Sequence, residues 1–200
     1  MILTKRFDDA FCLASELHRN QKRKNIPTPY MTHLMAVASL VCENIETLCE
    51  DQDLAEDYVI TAMLHDAIED QGGEKSYKII EEKFGHQIAE NILMLSDCVP
   101  DCSVKPSKDE RNKIYLEKMK KAPKEIVLIS CCDKIHNLRT MVSDYDIIGI
   151  EFWGKFSKSP AATVQNYHKL GPVYADRLGN HRVIKMYQKV LAEVEAVLPK

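Results

Sequence analysis

Apolar residues recur along this chain with a period near that of an α-helix, and the strict alternation of a half-buried strand is nearly absent. Leu3, Phe7, Ala10, Phe11, Ala14 and Leu17 predict a first amphipathic helix. A polar stretch holding two prolines, HRNQKRKNIPTP, then interrupts the pattern. Leu34, Val37, Ala38, Val41 and Ile45 predict a second helix. A third is expected from Asp53, read as its N-cap, through Val59, Ile60, Met63 and Leu64 to Asp70, with Gly72 and Gly73 ending it. Ser76 reads as the cap of a fourth helix stopping at Gly85, and Ile88, Ala89, Ile92, Leu93 and Leu95 mark a fifth. Asp97 to Ser107 carries two prolines and reads as a loop. Helices resume from Lys108 to Lys120 and, after a first-turn Pro123, to Ser143. The stretch from Asp144 to Pro160 reads as irregular, and two last helical stretches are separated near Gly171 and Pro172.

No internal repeat, low-complexity tract or linker divides the chain. The expectation is one all-α domain over residues 1–200, a compact bundle of about eight to ten helices. Within it a core at 3–143 would carry the chemistry and C-terminal helices at 160–198 would complete the bundle.

Composition narrows the function classes. A hydrophobic share of 45% and a charged share of 28% are those of a soluble globular protein. A formal net charge of -3 excludes a chain that coats nucleic acid by global positive charge, yet leaves room for a local basic pocket. No apolar run is long enough to span a bilayer, and MILTKRFDDAF is charged within a few residues. A cytoplasmic protein with no membrane and no nucleic-acid partner is expected. Seven cysteines cannot all pair within the chain, which fits a reducing compartment. Cys98 and Cys102 form a CVPDC loop, but no second Cys or His pair follows at zinc-site spacing. Cys131 and Cys132 read as small core residues.

Three segments carry chemistry. The helix YVITAMLHDAIED is apolar nearly all round but ends in His65, Asp66, Glu69 and Asp70. Three carboxylates on one turn repel each other, and at a helix C-terminus the macrodipole disfavours them further. A bound cation resolves both problems. A solvated acidic helix end is the alternative. In PKEIVLISCCDKIHNLRTM, Asp133, Asn137 and Thr140 share a face with Ile126 and Ile129, so the Asp and Asn need partners. A surface pairing of Asp133 with Lys134 or Arg139 would also serve. In PYMTHLMAVASL, His33 opens an apolar face, where a histidine is either a ligand or a satisfied structural residue.

Together the order His33, His65-Asp66, Asp133 resembles the H…HD…D signature of the HD superfamily of metal phosphohydrolases. The resemblance extends further. HDAIED is similar to the HDxxED motif of RelA/SpoT-type hydrolase domains, of the small alarmone hydrolases and of the metazoan SpoT homologue family. RKNIPTPYMTH resembles that family's RK…PY..H element, and DKIHNLRT its D.LHN.RT element. The chain departs from the pattern at Leu34, where proline is common, and at Lys134, where arginine is usual. The tail EFWGKFSKSP…NYHKLG is similar to that of small bacterial HD hydrolases.

The resemblance implies that His33, His65, Asp66 and Asp133 bind one divalent metal ion, manganese above all, with zinc, iron or cobalt compatible with the donor set. It makes Glu69 and Asp70 the catalytic pair and implies release of pyrophosphate from guanosine 3′,5′-bis(diphosphate), leaving GDP or GTP. A metal-acidified water would be the nucleophile, with Glu69 taking its proton. Arg23 and Lys24 would border the purine, and Asn137 and Thr140 would reach the ribose or adjacent phosphate. Lys105, Lys108 and Arg111 flank the proline-containing loop and would meet the pyrophosphate end. His136 and Arg139 fall off the ligand face. A small-molecule nucleotide is the expected partner, gathered by a basic rim around the metal. The sequence leaves open adenosine alarmones, the 2′-phosphate of NADPH, deoxynucleoside monophosphates, and a non-catalytic nucleotide sensor. It does not speak to oligomeric state.

Overall fold

The computed structural model describes residues 1–97, 106–156 and 158–199. Among them the structure is helical throughout, with no β-sheet and one isolated antiparallel bridge between Lys22 and Pro29. The order is α1 (Lys5–Leu17), α2 (Met31–Cys42), a 3-10 turn (Ile45–Thr47), α3 (Gln52–Leu64), α4 (Ala67–Asp70), α5 (Glu74–Phe84) and α6 (His86–Leu95). It continues with α7 (Lys108–Lys121), α8 (Lys124–Ile148), α9 (Glu151–Gly154), α10 (Pro160–Leu178) and α11 (Arg182–Ala196). Two of these, α4 and α9, are single turns of four residues.

The organising element is α8, whose 25 residues are covered on most sides. It packs against α2, α3, α6, α10 and α11. Ile126, Val127, Leu128, Ile129, Cys131 and Cys132 are fully buried in sequence, so this end of α8 is apolar all round because it has neighbours all round. Cys131 and Cys132 are therefore core residues, as the sequence indicates. Ser130 is satisfied inside this core: its hydroxyl lies 2.6 Å from the Tyr115 hydroxyl of α7 and 2.7 Å from the Tyr174 hydroxyl of α10. That buried triad ties three helices at one level, with every polar atom partnered.

The sequence-read boundaries shift at identifiable points. Asp51, not Asp53, caps α3, its carboxylate accepting from the backbone N–H groups of Asp53 and Leu54 at 3.0 Å. Gly73, at φ 56°, opens α5 in place of Ser76, whose hydroxyl donates instead to the Gln71 carbonyl at 2.7 Å. Helix α8 runs on to Ile148, through the stretch read as irregular. Helix α10 is continuous where a break was expected, carrying Pro172 in its interior. An interior proline costs about 3 kcal/mol. Here burial of Leu170, Tyr174 and Leu178 offsets it, and a Cβ on Gly171 would meet Tyr187 of α11 at 3.3 Å. Gly171 thus serves close helix approach, and the chain turns only at Gly179, φ 59°.

Candidate metal centre

The segment expected as one helix to Asp70 breaks at His65 and Asp66, between α3 and α4. Asp66 sits at φ −96°, ψ −1°, in the sparsely populated bridge region frequented by site residues. An unbroken helix sets neighbours about 100° apart. The break instead brings the His65 Nε2 and Asp66 Oδ2 atoms to 3.1 Å.

Three elements close the site. From the start of α2, His33 Nε2 lies 3.5 Å from Asp66 Oδ2 and 3.3 Å from Asp133 Oδ1. From α8, Asp133 Oδ1 is 4.0 Å from His65 Nε2. Donor atoms of His33, His65 and Asp133 all fall within 4.8 Å of one another, and all three residues are buried. This is a site that can hold a metal ion, and Asp66 borders it.

The donor set calls for a cation. His65 Nδ1 faces the Ala62 carbonyl at 2.8 Å, so the ring's N–H is committed there and the Nε2 lone pair points toward the carboxylates. That Nε2 is fully buried and without a hydrogen-bond partner. A lone pair aimed at anions in a buried place is repulsive unless a proton or a metal ion sits between. Burial disfavours a charged His65, yet Asp66 and Asp133 overcome it and raise its pKa to about 9. Burial likewise pushes Asp66 and Asp133 up. The His65 and His33 imidazoles more than offset this for Asp66, and Lys134 and His33 do so for Asp133, holding both carboxyls well below their usual range.

The supporting groups were partly missed by sequence. Tyr30 donates its hydroxyl to Asp66 Oδ2 at 2.7 Å. Asn137 Nδ2 and Lys134 Nζ donate to the two Asp133 oxygens, each at 2.5 Å. The Lys134 pairing is half a surface expectation fulfilled, but the pair lies inside the site and the ammonium stands 5.1 Å over the Tyr115 ring. His136, set aside as off the ligand face, places Nδ1 2.8 Å from Nδ1 of His33. Burial first, then His33 and Arg23, lower the His136 pKa to about 4, so it stays neutral and can accept the His33 N–H. That fixes the His33 tautomer with Nε2 free for the site. The signal was present only as a contact between α2 and α8, which the periodicity of α8 alone cannot carry.

Two cavities adjoin here. The inner one, ≈ 150 Å³, is walled by His33, His65, Asp66, Asp133 and Glu69. Glu69 accepts from the Asp97 backbone N–H at 3.0 Å, and burial pushes its pKa up to about 7. The outer cavity, ≈ 490 Å³, shares Tyr30, Asn112, Lys134, Asn137 and Asn166 with the inner one. Its walls include Lys22, Arg23, Lys24, Lys108, Lys134 and Lys158 against two carboxylates, Asp70 and Asp144. The local basic rim expected from sequence is present. Burial, then the neighbouring Lys24 and Lys158, lower the Lys108 pKa, the mark of crowded cations.

The remaining sequence-read residues separate. Asp70 turns from Glu69: its Oδ2 accepts from Gln21 Nε2 at 2.7 Å, on the outer cavity. Arg23 donates to Asn137 Oδ1 at 2.7 Å and stands 5.5 Å over the Tyr30 ring. Thr140 lines the outer cavity but gives its hydrogen to the His136 carbonyl at 2.9 Å. Arg111 pairs with Asp97 at 2.5 Å. Lys105, Cys98 and Cys102 lie outside the described residues. No helix among the described residues is long and apolar enough to cross a membrane.

Comparison with known proteins agrees with this geometry. A probable guanosine-3′,5′-bis(diphosphate) 3′-pyrophosphohydrolase of Synechocystis is 30% identical over 137 residues, covering 66% of this chain and 16% of the relative. The bifunctional (p)ppGpp synthase/hydrolase SpoT of Escherichia coli is 28% identical over 141 residues, covering 70% of this chain and 18% of the relative. The chain thus spans about a sixth of the length of these curated relatives. A solved structure described as a metazoan ortholog of SpoT that hydrolyzes ppGpp has the same fold, with a TM-score of 0.71 at 22% identity over 96% of this chain and 97% of that one. The HD domain family model matches residues 10–146, which take in His33, His65-Asp66 and Asp133 in the order the superfamily signature requires, and the chain belongs to that family.

Proposed function

We propose that the chain is a metal-dependent 3′-pyrophosphohydrolase acting on guanosine 3′,5′-bis(diphosphate). The carrying observation is the shared wall itself: an acidic, metal-competent inner cavity adjoins, across five common lining residues, a basic outer cavity large enough for a nucleotide. The named activities of the Synechocystis and Escherichia coli relatives support the same reading. We read residues 1–200 as one catalytic unit, with the core at 3–143 and the C-terminal helices at 160–198 closing the outer wall through Asn166 and Tyr167.

In this reading His33, His65, Asp66 and Asp133 hold one divalent ion, manganese suiting two imidazoles and two carboxylates. When bound, the ion supplies an acidified water and charge neutralisation at the phosphate. Glu69 is the group that takes the water's proton: it faces the inner cavity, and a carboxylate poised near neutrality is suited to that task. Asp70, one residue on, acts from the outer side, where with Gln21 it orders the wall around the departing pyrophosphate or the ribose. Arg23, Lys24, Asn137 and Thr140 grip the nucleotide. Asn137 spans both tasks, since it donates to Asp133 and accepts from Arg23. Lys134 and Asn137 each donate to one Asp133 oxygen and fix the carboxylate, with Oδ1 the oxygen that faces His33 and His65.

The test is incubation of the purified chain with guanosine 3′,5′-bis(diphosphate) and manganese, resolving the products. GDP and pyrophosphate should appear; EDTA should abolish them and Glu69→Gln should cut their rate of release about 10²–10⁴-fold. A manganese-loaded protein that leaves the substrate intact would reject the reading, and other 3′- or 2′-phosphorylated nucleotides would then be screened.

A further inference from the structure

One carboxylate on the wall of the outer cavity has no part in the chemistry above. Asp144 lies on α8, eleven residues beyond Asp133, and only 6% of its surface is exposed. At about 100° per residue, positions 133, 137, 140, 141 and 144 return to one face, and at about 1.5 Å per residue the two aspartates stand roughly 16 Å apart along it. The face therefore runs from a metal-site carboxylate, through Asn137 and Thr140, to a second buried carboxylate. That span suits a nucleoside 3′-phosphate laid along the helix with its phosphorus at Asp133 and its base at Asp144.

The surroundings of Asp144 fit a purine. Met141, three residues before Asp144 on α8, and Phe156 line the same cavity and offer apolar faces. The nearby cations are engaged elsewhere: Arg23 with Asn137 and the Tyr30 ring, Lys155 with the Asn25 carbonyl at 2.7 Å. The Asn25 side chain is a hydrogen-bond partner of Asp144. A carboxylate has about four acceptor sites, so most of its capacity is unspent.

We infer that Asp144 is the specificity-determining residue for the base, selecting guanine over adenine by accepting from N1–H and the 2-amino group together. Guanine presents those two donors side by side on its Watson–Crick edge. Adenine presents an N1 lone pair there, which a buried carboxylate repels, so the wrong base leaves both acceptors unpaired. This rests on the nucleotide-hydrolase reading above, and the experiment separates the two.

The measurement is calorimetric binding of GDP, IDP and ADP to the manganese-loaded chain, wild type and Asp144→Asn, beside turnover of guanosine and adenosine 3′,5′-bis(diphosphates). The three diphosphates differ only in the base. Wild type should bind GDP about 10²-fold more tightly than ADP, with IDP, which lacks the 2-amino group, between them. Asparagine at 144 offers one donor and one acceptor, matching adenine's edge, so Asp144→Asn should shrink the GDP:ADP ratio at least about tenfold. Equal wild-type binding of GDP and ADP, binding of neither, or an unchanged ratio in the variant would overturn the inference. Should the variant not fold, the wild-type series alone decides. A base preference that tracks Asp144 without turnover sinks the hydrolase reading and leaves this one standing. Equal turnover of both purine substrates does the reverse.

Discussion

The inner and outer cavities share walls yet carry opposite charge. The inner one gathers Asp66, Glu69, Asp97 and Asp133 against a single lysine and two imidazoles, while the outer one sets six cations against two carboxylates. A net charge of -3 averages over both and reveals neither. Inside, Lys134 pairs with Asp133 and Arg111 with Asp97, while the buried His65 Nε2 and Asp66 still face a place suited to a cation; outside, Lys134 and Lys158 hold Asp133 and Asp109, and the crowding around Lys108 favours an anion. A phosphorylated nucleotide placed across the junction meets both demands, and each can be broken separately.

The largest effect is expected at the inner pole. Asp133→Asn removes a donor from the His33–His65–Asp133 cluster and leaves Lys134 without its carboxylate. Turnover should fall to the level of the EDTA-treated protein, and elemental analysis should find little bound manganese. Wild-type metal content in this variant would mean that the ion sits elsewhere. Glu69→Gln comes next, with kcat down about 10²–10⁴-fold and metal content unchanged. Since Glu69 must be deprotonated to accept a proton and its pKa is raised to about 7, wild-type activity should climb as pH rises through that region and level off above it. A bound cation draws the midpoint downward. The variant should lose this limb; a limb of unchanged shape would assign the ionisation to another group.

His136→Phe tests the support of His33. Manganese affinity, followed by chelator competition, should drop about 10–100-fold. No change would reduce the 2.8 Å contact between the two rings to packing. The smallest effect belongs to the outer pole. Lys108→Ala should raise KM about tenfold, with a flatter dependence on salt, because the cations share the work of holding phosphate. A change confined to kcat would place Lys108 in the chemistry instead.

The legible and illegible parts of this molecule divide along the same physical line. Helix identity is readable because a 3.6 period is a property of short segments, and His65-Asp66 stands out because it ends an apolar run; that His33 and Asp133 join them is what the resemblance to the HD signature implies, since no local pattern links three distant segments. Boundaries were misread where tertiary packing overrides local signals. The clearest case is α10, where Gly171 and Pro172 look like a stop but the helix runs through both and Gly171 leaves room for Tyr187. The break at His65-Asp66 has no local signal, since YVITAMLHDAIED holds neither proline nor glycine. Tyr30, His136 and Asn166 were missed because their roles lie in contacts between helices far apart in sequence. The sequence pairs Asp70 with Glu69 on one turn, yet adjacent residues on a turn diverge, and the two carboxylates line different cavities.

Helix α8 turns a count of residues into a position in space. An insertion or deletion of a single residue between Asp133 and Asp144 would rotate one end of the shared face by about 100° and slide it by about 1.5 Å. Every contact beyond the change would then miss its cavity, even with no side chain altered. The same change in a connection that carries no site residue, such as the one between α2 and α3, would shift no helical phase within the site. Length variation among relatives with an intact site should therefore collect in the connecting segments, while the interval between these two aspartates behaves as a frame that admits no indels.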